Sequence, residues 1–109
     1  MTRPQVIRPA DHAVFSAAKM GKSTIFESPH MLVGLNAFEP GQQHALHAHD
    51  DMDKLYSVVQ GEGVFLLADA ELPMRQGEIL IAPAGVAHGI RNSSSARLVV
   101  LAVLAPSPR

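Results

Sequence analysis

The chain alternates between short apolar runs and tight polar punctuation. Met31 to Phe38, Leu55 to Gln60, Val64 to Leu67, Ile79 to Ile81 and Leu98 to Leu104 are rich in Val, Ile, Leu and Phe. Such residues fit a pleated, half-buried strand. Between the runs stand Ser28-Pro29, Pro40-Gly41, Gly61-Glu62-Gly63, Gly77, Pro83-Ala84-Gly85 and Asn92 to Ser95. These breaks recur at short intervals, as between the short strands of a sandwich or barrel. No stretch keeps a helical period over the roughly 11 residues that such a pattern needs. Ala10 to Lys19 is the best helix candidate, and a weak one. The pattern predicts an all-β chain, an antiparallel barrel or jelly roll whose closure removes exposed edges.

Leu98 to Leu104 is apolar at nearly every position. A strand of that kind is covered on both faces. The barrel core covers one. A second subunit is the simplest cover for the other, so a homodimer is expected. The alternative cover is an N-terminal segment of the same chain.

Composition narrows the picture. At 109 residues the chain is expected to form one domain, residues 1–109. With 47% hydrophobic residues, a core is feasible without disulfides. The net charge is -1 and Lys and Arg are scattered, so nucleic acid is not the expected partner. With no cysteine, a transition-metal site must draw on His, carboxylate or water. Met1 to Pro9 carries two Arg, two Pro and no apolar core of a secretory signal. The longest apolar run, Leu98 to Ala105, has eight residues, well short of the ~20 that span a bilayer. A cytoplasmic protein without a membrane partner is the expectation.

The chemistry is concentrated in histidines. His47 and His49 are separated only by Ala48, and residues i and i+2 of a strand share a face. His88 follows the turn formers Pro83 and Gly85, which deliver it onto another strand. Gly41 and Gly77 stand at turns where φ can be positive, and Asn92 suits a turn that ends the His88 strand. Neutral imidazoles suit several divalent metals. Burying them without partners would cost roughly 1–3 kcal/mol each, which argues against three purely structural histidines.

These residues carry a resemblance. Gly41, His47, Ala48, His49, Lys54 and Gly61 stand at the spacing of the first cupin motif, residues 41–61, except that cupins usually have Glu at position 54. Gly77, Pro83, Ala84, Gly85, His88 and Asn92 resemble the second cupin motif, residues 77–92, at every defined position. The two motifs lie fifteen residues apart, as in the smallest cupins, and cover about a third of the chain. The resemblance implies an antiparallel double-stranded β-helix, the cupin barrel. It also implies that His47, His49 and His88 bind a divalent transition metal: Fe, Ni, Zn or Mn.

Lys54 is the departure. A unit charge about 5 Å from a dication, at an effective dielectric of ~20, is repelled by roughly 6–7 kcal/mol before relaxation. Three resolutions are open. Lys54 bends away and pairs with Asp51 or Asp53, or it loses its proton, or the strand slips by one residue and brings Asp53 inward. The alternation does not choose: Asp53, Leu55, Ser57 and Val59 form one face, Lys54, Tyr56, Val58 and Gln60 the other. A three-His site with water, three His plus Asp53, and no functional metal all remain open.

Other candidates are weaker. His44, three residues before His47, is expected to face away from it. His12 and His30 lack motif context. Tyr56 and Lys54 are the candidate catalytic residues, to orient a substrate or move a proton. Arg91 is a candidate for a substrate carboxylate, against the plainer reading of a solvated strand end. Phe38, Phe65, Met52, Met74 and Ile90 are expected in the core before the pocket. The functional expectation is a small metal-binding cupin with a small-molecule ligand. If it is an enzyme, a metal-dependent dioxygenase is favoured, with substrate and O₂ at the open metal positions. A metal-assisted isomerase or lyase of a sugar or keto acid, and a non-catalytic binding barrel, are the alternatives.

Overall fold

The computed structural model describes residues 3–108. After a 3₁₀ turn at Pro9–His12 come nine strands: β1 (Gly21–Glu27), β2 (Leu32–Phe38), β3 (Gln43–His47), β4 (Asp53–Gln60), β5 (Glu62–Leu67), β6 (Glu71–Arg75), β7 (Ile79–Ala82), β8 (His88–Arg91) and β9 (Leu98–Ala105). They form two antiparallel sheets in the orders β1-β2-β9-β4-β7 and β3-β8-β5-β6. The expected all-β jelly roll is present, and the five apolar runs each fall on a strand. The weak helix candidate over Ala10 to Lys19 makes only the 3₁₀ turn, because the segment lacks an apolar stripe to bury. The apolar pattern does not mark β1, β3, β6 and β8; the histidine motifs require strands at His47 and His88, so β1 and β6 alone have no sequence signal. β6 carries Pro73, which its place at a sheet edge tolerates, since no ladder donor is needed there.

The core lies between the sheets. Phe38, Tyr56, Val58, Phe65, Ile90, Leu98 and Val100 are almost fully buried. Strand alternation sorts the rest. On β9, Leu98, Val100, Ala102 and Leu104 face the core, which leaves Val99, Leu101 and Val103 on the outer face.

That outer face is covered over only part of its area. Register places Phe26, Val33, Val103, Leu55 and Ile81 in one row across all five strands. Phe26 is 45% exposed and Ile81 54%. Further along, Val99, Ala37 and Leu35 are buried. There the N-terminal segment crosses the sheet: the turn at Pro9–His12 packs on β1 and β4, and the Ser23 hydroxyl donates to the His12 carbonyl at 2.6 Å. The same chain thus covers part of the face, and an apolar row stays open beside it.

Candidate metal centre

The site is built on an irregular β3. Along its pairing with β8, His44 lies opposite Ile90 and His47 opposite His88, so three steps on β3 match two on β8. The extra residue is a β-bulge, which resets the alternation of faces. His44 therefore shares a face with His47, and their rings stack with centroids 4.2 Å apart. The expectation that His44 faces away is wrong for this reason. His49 lies just past the end of β3, so it is a loop residue and not the strand residue expected. The sequence did hold one signal. Gly89 sits opposite the bulge, and a Cβ there would come within 2.7 Å of the His44 carbonyl oxygen. A glycine inside a strand often marks such an approach.

The three expected ligands converge. The ligand atoms of His47, His49 and His88 all lie within 4.8 Å of one another. The ring of His47 is 4.4 Å from that of His88 and 5.2 Å from that of His49. Gly85, at φ 82°, completes the turn before His88 and donates its N–H to the His49 carbonyl at 2.8 Å, which ties the two motifs together.

Hydrogen bonds set the state of the rings. His47 Nδ1 lies 2.8 Å from the Ala45 carbonyl, and His88 Nδ1 lies 2.9 Å from the Val86 carbonyl. A carbonyl only accepts, so each Nδ1 carries the proton and each Nε2 keeps its lone pair. Both Nε2 atoms are buried without a partner. Desolvation is the largest influence on all three rings and lowers their pKa, and the charge of Lys54 adds to it. Neutral rings with free Nε2 lone pairs, oriented through Nδ1, are the form in which histidine binds metal. The donor set fits a divalent transition metal.

Lys54 takes the position usual for Glu. β4 alternates regularly, so Lys54, Tyr56 and Val58 point inward and Asp53 is exposed. The Asp53 carboxylate accepts the Ala84 N–H at 2.9 Å and so pins the second-motif turn. Strand slip and an Asp53 ligand are thereby ruled out. Among the described residues, no carboxylate lies within ion-pair distance of Lys54, so pairing with Asp51 is ruled out as well. Its ammonium lies 4.8 Å from the centre of the Tyr56 ring. Burial first, and the charge of Lys22 second, push its pKa down to about 8.

A cavity of about 250 Å³ opens beside the site. Its polar lining includes Lys22, Asn36, His44, His47, His49 and Lys54, set against an apolar wall that includes Leu32 and Leu104. His44 and Lys22 are functional candidates that sequence reasoning missed. Burial and the neighbouring cations lower the pKa of His44 to about 3, so it too is neutral. Tyr56 is fully buried, its ring 5.7 Å from His88, and its hydroxyl has no partner; burial raises its pKa. Arg91 is engaged elsewhere, in a two-pronged ion pair with Glu71. His12 and His30 are exposed and stand outside the cluster.

Comparison with known proteins agrees with this geometry. The model of the cupin domain family matches residues 34–104, and the chain belongs to that family. It is 32% identical over 65 residues to an oxalate-binding protein of Thermotoga maritima, a match covering 60% of this chain and 54% of the relative, so it spans about half of that protein. Among solved structures it resembles TT1209 from Thermus thermophilus, at 36% identity and TM-score 0.89, over 94% of this chain and 98% of that one. It also shares its fold with a protein from Thermotoga maritima described as a predicted oxalate decarboxylase. That match has 21% identity and TM-score 0.81, over 94% of this chain and 99% of the other.

Proposed function

We propose that this cupin holds one divalent transition metal on His47, His49 and His88 and binds a small organic molecule beside it. The carrying observation is the pair of buried, unpartnered Nε2 atoms on His47 and His88, in rings already oriented through Nδ1. A bound metal would supply Lewis acidity and, if iron, reactivity toward O₂. Metal-dependent dioxygenation is the turnover we favour. The protein's own part is to orient the substrate with Lys54 and to offer the neutral Tyr56 hydroxyl for proton transfer. Metal analysis of the purified protein, with His47→Ala as control, tests the metal centre. O₂ uptake by the iron-loaded protein over a panel of small metabolites tests the turnover.

A second reading, a binding barrel without turnover, draws support from the relative named as oxalate-binding. Tight ligand binding without product would select it. We further infer that residues 1–109 work as one unit in the cytoplasm, paired as a homodimer through the open outer row of β9. Homodimer interfaces are more apolar than ordinary surface, and an isologous contact needs only one such patch.

A further inference from the structure

Apart from the face of the Tyr56 ring, Lys54 has no partner for its ammonium among the described residues. It is 6% exposed, and no hydrogen bond or ion pair holds it among the described residues. Burying a charge is unfavourable unless a counter-charge compensates. The cavity supplies none: its charged and titratable lining consists of Lys22, Lys54, His44, His47 and His49. Asp50, Asp51 and Asp53 are all exposed and line no part of it. Lys22 enters from β1, where it pairs across the ladder with the buried Asn36, another lining residue. A cavity lined by the buried Lys54, the exposed Lys22 and no acid is a field suited to an anion.

We propose that Lys54, assisted by Lys22, forms a carboxylate-binding subsite, so that the ligand is a small organic carboxylate whose anionic group stands where the protein lacks its usual Glu. This rests on the metal reading only for the ligand's second contact, because the lysine contact is independent of metal. Size limits the rest of the ligand. The cavity, at about 250 Å³, lies slightly below the ~300–1,000 Å³ of pockets for drug-sized ligands. Leu104 stands beside Lys54 and Leu32 beyond it in one cross-strand row, so carbon atoms of the ligand meet an apolar wall. A compact carboxylate of a few carbons fits both conditions.

The test is calorimetric titration at pH 7 and fixed ionic strength, on chelator-treated and on Zn-loaded protein. The probes are oxalate, its neutral isostere oxamide, and sulfate. We expect Lys54→Met to weaken oxalate about tenfold in both metal states and Lys22→Met to weaken it less, with oxamide unaffected by either. Lys54→Arg should keep most of the affinity. Zn affinity should rise in Lys54→Met, since a repelling cation is gone, a change that general damage to the site would not produce. Lys54→Gln repeats the comparison with a polar side chain should the Met variant fold poorly. Unchanged oxalate affinity in the Lys54 variants overturns the proposal, as does sulfate binding as tightly as oxalate. If the wild type takes up no Zn, the metal reading fails alone, and the metal-free oxalate titration still decides the subsite.

Discussion

Replacing Lys54 with Met should stabilise the metal-free protein at neutral pH, by an amount that shrinks as pH rises. Burial lowers the Lys54 pKa from its ordinary 10.5 to about 8. Between those values the unfolded chain holds a proton that the folded chain has released, so wild-type stability climbs with pH in that window and the full penalty applies below it. At 1.36 kcal/mol per pKa unit the penalty is about 3 kcal/mol at pH 7, of which roughly 2 kcal/mol returns by pH 9.5. The contact of the ammonium with the Tyr56 ring offsets ~0.5–2 kcal/mol, leaving a net gain for the variant of about 1–3 kcal/mol at pH 7. Met fills nearly the same volume, so no large cavity term enters. The assay is urea unfolding in chelator at pH 7, 8, 9 and 9.5, with the variant minus wild-type difference as the readout. Tyr56 has a raised pKa and would cost stability above pH 10, but that effect lies outside the range and is common to both proteins. A difference that stays constant with pH, or a wild type more stable than the variant at pH 7, refutes the argument.

Three further outcomes follow from the same geometry. His88→Ala should abolish stoichiometric metal uptake, read by metal analysis after dialysis, while circular dichroism still reports an all-β fold. Asp53→Ala should cost about 0.5–1.5 kcal/mol by releasing the turn at Ala84, and should leave metal stoichiometry unchanged because Asp53 faces away from the site. If the proposed homodimer forms through the open apolar row, Ile81→Glu should yield single chains by light scattering where the wild type yields pairs, with the all-β circular dichroism spectrum kept.

Much of the site was legible because its chemistry is written in local spacing. Gly41 and Gly77 adopt the positive φ expected of them, and Asn92 forms the expected turn through bonds to Phe38, Ser94 and Ala96. The apolar runs marked five strands because each buries at least one face. β1 and β6 escaped notice because Gly21–Glu27 and Glu71–Arg75 are mixed or polar edge strands, with half their ladder bonds unpaired and little apolar demand.

The sequence alone determined the spacing of three histidines, the turns that deliver them, and with these the barrel and the histidine cluster. Tertiary structure decided which way β4 faces, and so that Lys54 and not Asp53 enters the interior: both faces of that strand carry apolar residues, so a period of two cannot distinguish them. It also decided that His44 joins the site. The bulge that turns it inward is a mismatch between two strands, and the count on β3 has no meaning until β8 lies beside it.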